Sequence, residues 1–155
     1  MAAPGLKLTF DNRDLMRRLN KVEDSVRKDA AAKGLRAAEM HMIGWVKIFM
    51  DKVLNRQTGN LIGSIEEEEL HLGTKSWITF GPHTVYARIH ELGGIIRPTN
   101  GPYLVFVGSS GNLVFTKSVT MPARPYLRPA MDEKGDESLK VMGDTIGSVI
   151  EGAYR

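Results

Sequence analysis

The side chains in this sequence that could do chemistry are four histidines, a run of glutamates, two arginines in a proline-rich segment and a few serines. His90-Glu91 opens like the H-E-x-x-H helix of zinc proteases, where two histidines one turn apart hold the metal and the glutamate acts as base. The matching position, Gly94, is not histidine, and no other histidine or carboxylate one turn away completes a ligand set. His41, His71 and His83 are isolated in sequence, as are Ser64 and Ser109, which have no neighbouring histidine to activate them. Gly108-Ser109-Ser110-Gly111 lacks the lysine and the strand-to-helix context of a phosphate loop, and reads as a hairpin tip. Glu66, Glu67, Glu68 and Glu69 would suit a divalent cation only if they converged. On a strand, neighbours point to opposite faces, so the run gives two pairs and reads as a solvated or subunit-facing surface. No motif requires a cofactor or a metal.

Arg124 and Arg128 are the sharper feature. Spaced four apart, they would share one face of a helical turn and form a fork for carboxylates or phosphates. They lie in Met121-Pro122-Ala123-Arg124-Pro125-Tyr126-Leu127-Arg128-Pro129-Ala130. The three prolines fix φ near about −65° and remove three amide donors, so the stretch is no central strand. Residues before proline lean extended, and Pro125 or Pro129 suits a first helical turn. This stiff segment is a hinge that presents Arg124, Tyr126 and Arg128 either to a neighbouring subunit or to the domain's own core.

The elements that must position these groups follow from the apolar pattern. The chain has 155 residues, enough for one domain with a proper core, and no cysteine, so neither disulfides nor thiolate metal sites are possible. No apolar run approaches the ~20 residues of a membrane span. The net charge of +3 is unevenly placed: the glutamate block stands against a stretch from Arg88 to Arg128 in which Glu91 is the lone acid among five basic residues. Opposite poles suit head-to-tail association. Leu6 to Phe10 predicts a short strand, with Asp11 or Asn12 as the N-cap of a helix. Leu15, Leu19, Val22 and Val26, then Leu35, Ala38, Met42 and Phe49, draw an apolar stripe over about 12–54. Unbroken, such a helix would be roughly 60 Å long, and Gly34 marks a place for a bend.

Leu61 to Ile65 is expected to begin the sheet region, about 61–120. Hairpins are expected around Gly73-Thr74-Lys75 and Gly108–Asn112. Between them a short helix puts Val85, Ile89 and Leu92 on one face, ended by Gly93 and Gly94. An amphipathic helix over about 136–154, with Leu139, Met142 and Ile146 in its stripe, closes a single α+β domain: a long N-terminal helix, a small, mostly antiparallel sheet built from hairpins, and a C-terminal helix.

Two segments, taken together, resemble a known family. Tyr86-Ala87-Arg88-Ile89-His90-Glu91-Leu92-Gly93-Gly94, followed some thirty residues later by Pro122 to Ala130, is similar to the neck and minor tail-component family of long-tailed bacteriophages, with the virion-morphogenesis proteins of Mu-like phages as relatives. Thr58-Gly59-Asn60-Leu61-Ile62-Gly63-Ser64-Ile65 resembles a third habit of that family. Within these blocks Thr58, Gly59, Leu61, Ser64, Tyr86, Ala87, His90, Glu91, Gly93, Gly94, Pro122, Pro125, Leu127 and Pro129 are the motif positions, and Tyr126 stands where phenylalanine is common. The resemblance implies a structural virion protein with no catalytic residues. Such a subunit would form a ring, often six-fold, between head-closure proteins and the tail terminator or tail tube, with genomic DNA passing through the lumen without sequence specificity. It would sit in the virion after assembly in the host cytoplasm, away from membranes. In a closed ring one patch meets a different patch, and the glutamate strand with Arg124 and Arg128 supplies such a pair. The alternatives are a tail-terminator ring protein or a basic DNA-binding module using Arg13, Arg17, Arg18, Lys21, Arg27 and Lys28. Asp14, Glu23, Asp24 and Asp29 weaken the field of that helix.

Overall fold

The computed structural model describes residues 6–11, 23–54, 59–73 and 75–155. Its elements are β1 (Leu6–Asp11), α1 (Asp24–Val53), α2 (Asn60–Gly63), β2 (Ile65–His71), β3 (Lys75–Pro82), α3 (Ala87–Leu92), β4 (Gly94–Ile96), β5 (Leu104–Val107), β6 (Leu113–Thr116), β7 (Val119–Met121) and α4 (Leu127–Ala153). The α+β class read from the pattern is what the chain adopts, with its antiparallel strands divided among three small sheets: β1-β3-β2, β4-β7 and β5-β6. The expected helical residues 12–22, including Leu15, Leu19 and Val22, lie outside the described residues, as does Thr58. Among the described residues no helix is long and apolar enough to cross a membrane.

The frame is a pair of antiparallel helices. Ala30, Leu35, Ala38, Met42, Val46, Phe49 and Met50 of α1 are buried, at the spacing of one helical face. They meet Leu127, Ala130, Met142 and Ile146 of α4. Three side-chain contacts fix the direction. The Tyr154 hydroxyl accepts the Glu23 N–H at 3.2 Å, His41 meets Ser138 at 2.9 Å, and Lys134 lies 4.0 Å over the Trp45 ring.

Helix α1 runs unbroken through Gly34, where a bend was expected. The glycine is buried at the crossing: a β-carbon there would stand 2.6 Å from Ile146 Cγ1. It is retained for close packing, which offsets its cost of ~1 kcal/mol within a helix.

Strand β3 is central in its sheet and turns Ser76, Ile78, Phe80 and Pro82 toward the core. Trp77 faces the other way, stacked on His71 at 3.9 Å. Four expectations are corrected. Residues 60–63 are one helical turn and not the start of the sheet; the strand begins at Ile65. Helix α4 begins at Leu127, nine positions before the expected 136, because its first turn accommodates Pro129. Leu139 is exposed and Ser138 buried in its place, since the i, i+4 line from Met142 and Ile146 leads back to Ser138. In α3 the buried pair is Ala87 and Glu91, whereas Val85 and Leu92 face solvent.

Candidate functional site

The two segments that carry the phage resemblance dock on each other. Helix α4 begins at an N-terminus with no side chain of its own to cap it. The first turn of a helix leaves up to four N–H groups without intrahelical partners. Glu91, on α3, takes three of them. Its Oε2 accepts the N–H of Tyr126 at 2.8 Å and of Leu127 at 3.1 Å, and its Oε1 that of Arg128 at 3.2 Å. The next residue is Pro129, which has no N–H to satisfy, and Ala130 N–H closes the first intrahelical bond on Tyr126 O at 3.4 Å. Every early donor is accounted for, and the carboxylate sits where the helix dipole favours negative charge.

The surroundings lock this arrangement. Arg124 N–H donates to His90 O at 2.8 Å, joining the two segments through the main chain. Gly93 has φ +68°, and a β-carbon on it would lie 2.7 Å from Ala123 N, so conformation and space both require glycine there. Tyr126 is fully buried, and its hydroxyl donates to Ala87 O at 3.4 Å. Burial first, and the charge of Glu91 second, hold its phenol well above the ordinary tyrosine range. Burial, then the nearby Arg124 cation, lowers the His90 imidazole. Its Nδ1 is buried without a hydrogen-bond partner among the described residues.

Of the two destinations open to Arg124, Tyr126 and Arg128, the tyrosine therefore goes to the domain's own core. The arginines do not stack on one helical face, because Arg124 precedes α4. Its side chain is half-buried, while that of Arg128 is exposed. In the third motif Gly59 adopts φ +73° ahead of the α2 turn, Leu61 is buried, and the Ser64 hydroxyl donates to Leu61 O at 2.8 Å.

Glu66, Glu67, Glu68 and Glu69 all lie exposed on β2, an edge strand. A bulge between Glu67 and Glu69 interrupts the regular alternation expected of them. Glu67 pairs with Arg36 of α1 at 3.3 Å. Beneath it, Glu39 is 5% exposed, with Oε1 unpartnered among the described residues. Burial, with Glu67 adding and Arg36 opposing, pushes its carboxyl up to about 7.

Sequence spacing gave no sign of a serine–histidine contact, yet Ser138 Oγ stands 2.9 Å from His41 Nδ1, and Glu137 Oε1 3.5 Å from Nε2. The Ser138 hydroxyl is fully buried and donates to Lys134 O at 3.0 Å, so its proton is committed and the imidazole serves as donor. This set ties α1 to α4. No three histidine or acidic side chains among the described residues are grouped to hold a metal ion.

One further feature stands out from the core. Among the described residues the β5–β6 hairpin pairs with no other strand, and Val107, Leu113 and Phe115 are each about two-thirds exposed (64–65%). Its strands are apolar at consecutive positions, which is the sequence signal for a hairpin apolar on both faces. The signal for Glu91 was equally available: it is the lone acid between Arg88 and Arg128, and α4 has no cap residue of its own. No protein-family model, curated protein or solved structure matches this chain.

Proposed function

We propose that this chain is a structural subunit of the head–tail junction of a long-tailed bacteriophage, a neck or tail-completion protein. It assembles as a ring that joins head-closure proteins to the tail and passes the genomic DNA through its lumen. The observation that supports this reading most strongly is the docking of the two motif segments. The residues that carry the family resemblance, His90 to Gly93 and Arg124 to Pro129, form one interlocked unit in which Glu91 caps α4. A resemblance arising by chance would have no reason to select positions that fit together. The exposed, acid-free hairpin beside that unit suits a protein that completes its apolar packing in an assembly.

The test is genetic. Deleting the coding sequence from the phage genome that carries it should leave filled heads and separate tails in electron micrographs, with joining restored when the chain is supplied in trans. Normal joined particles that lack the chain would overturn the reading.

A further inference from the structure

We propose that the outward face of helix α1, centred on Met40, Gly44 and Ile48, packs antiparallel against the outward face of helix α4 of a second copy of this chain, centred on Leu139 and Gly143. The inference rests on the assembly reading above and names the contact by which neighbours would join.

On α1 the three central residues recur every four positions, so they line one side of the helix. That side is turned away from the core: Met40 is 74% and Ile48 43% exposed. Its margin is positive. Arg36 and Lys52 stand one turn beyond either end of the line, and Lys47 lies beside Ile48. Asp51 is the one exposed acid over the same stretch, because Glu39 is buried. Arg36 also engages Glu67 of β2 at 3.3 Å, so Lys47 and Lys52 carry most of the positive character.

The complementary surface is on α4. Ser138, Met142 and Ile146 mark its buried side. The opposite side carries Asp132, Asp136, Leu139 and Gly143, at steps of four, three and four, with Glu133 and Asp144 along its edge. All six are exposed, and Lys140 is the one cation among them, since Lys134 is turned inward over Trp45. No contact inside the chain requires glycine at Gly44 or Gly143: a β-carbon on either would meet nothing within 4 Å, although glycine weakens a helix interior. A neighbour accounts for both. Each leaves a notch beside an exposed apolar side chain, and two notched faces let the helix axes approach toward the short end of the usual range of about 8–10 Å.

Charge selects the partner faces, and symmetry sets their direction. Packing α1 on α1 would oppose cations, and α4 on α4 would oppose carboxylates, whereas α1 on α4 joins a positive margin to a negative one. A contact between unlike faces is heterologous, as ring closure requires. Within the chain the two helices run antiparallel. Copies related by rotation about an axis along these helices all point the same way, so α1 meets the neighbour's α4 antiparallel as well. In that direction, seating Leu139 in the Gly44 notch brings Gly143 opposite Met40 and Asp136 opposite Lys47, because the numbering rises along one helix as it falls along the other.

The natural chain has no cysteine, which makes the test direct. Met40→Cys and Gly143→Cys, both at exposed positions, are prepared singly, mixed and cross-linked with a short bismaleimide over a concentration series, after melting curves verify the fold. The mixture should give a cross-linked dimer that neither variant gives alone. Lys47→Glu in the Met40→Cys partner should lower the yield at least five-fold, and Asp136→Lys in the other should restore it. Gly44→Ala in the Met40→Cys partner should also lower the yield while raising that chain's melting temperature, which separates a filled notch from a damaged fold. Self-cross-linking of either variant at a yield comparable to the mixture, a yield that Lys47→Glu leaves unchanged, or no mixed product at any concentration up to the solubility limit would overturn the proposal. Failure here together with separate heads and tails on deletion leaves the junction role intact and removes only this contact. Mixed cross-links from a chain whose deletion leaves particles joined have the opposite meaning.

Discussion

Glu91 concentrates more of the structure in one side chain than any other charged residue described. Its carboxylate receives three main-chain donors at the start of α4, and those donors have no alternative partner in the helix. Glu91→Ala should therefore cost about 3 kcal/mol or more, the penalty for stranding buried donors, read as a lower urea midpoint. Glu91→Gln keeps one acceptor oxygen but loses the charge, and should cost about 1–2 kcal/mol. If both variants fall within ~0.5 kcal/mol of the parent, the segment is fixed by its prolines alone. Glu39 makes a second prediction at this scale. Its pKa rises from 4.5 to about 7 on folding, so between these values the folded chain holds a proton that the unfolded chain has released. The stabilisation is complete below pH 4.5 and lost as pH rises to about 7. The loss amounts to roughly 3 kcal/mol if the whole shift is expressed. Glu39→Gln should flatten that slope and exceed the parent's stability above pH 7, measured by denaturant titration across the window. A slope identical to the parent's would show that Glu39 stays ionised in the folded chain.

At the scale of elements, the antiparallel helix pair turns on two glycines with opposite environments. Gly34→Ala places a methyl 2.6 Å from Ile146 Cγ1, and the overpacking should outweigh the gain in helix propensity, for a net loss of about 1–3 kcal/mol. Combining it with Ile146→Ala should cost less than the sum of the two, because the smaller side chain vacates the space. Gly44→Ala, into open space, should stabilise the isolated chain by about 0.5–1 kcal/mol. Thermal melts of the four variants check all three statements. The pair also shows what was legible. The buried line of α1 from Leu35 to Phe49 followed from spacing alone, since its apolar residues are large and regular. The first turns of α4 were legible in part: Pro129 suits a first helical turn, but Lys134 and Ser138 occupy positions that periodicity scores as polar, so the stripe was traced only from about 136. Each fits for a tertiary reason: a proline where no donor is needed, a lysine over Trp45, and a serine bonded to His41. The candidate site was legible in its parts. The stiffness of Met121–Ala130 and the isolation of Glu91 among basic residues were visible, but their partnership links positions 35 residues apart and depends on the fold.

For the molecule as a whole, the segregation of charge and the segregation of apolar surface point in the same direction. The acidic edge strand and the arginine-bearing turn lie on one chain without an ion pair between them among the described residues, and Arg128 is exposed while its main chain is held by Glu91. Reversing Arg124 and Arg128 to glutamate tests the part proposed for them in assembly. Arg128→Glu should leave the fold intact and weaken assembly, whereas Arg124→Glu also loses packing, because its side chain is half-buried. Unchanged assembly in both would exclude the acidic-strand contact. Salt separates the two contributions further. Contacts between exposed charges are screened within a Debye length of about 8–10 Å near physiological ionic strength and weaken as sodium chloride rises. An apolar contact made through the exposed β5–β6 hairpin would be strengthened by sulfate, which is excluded from protein surfaces. Self-association measured by sedimentation should therefore fall with added chloride and recover with sulfate in the parent chain. In Phe115→Glu the recovery should disappear while the chloride dependence remains, since the charged margins are still present. A parent whose association is indifferent to both salts would have neither contact, and any ring it formed would be held by surfaces other than the β5–β6 hairpin and the acidic strand.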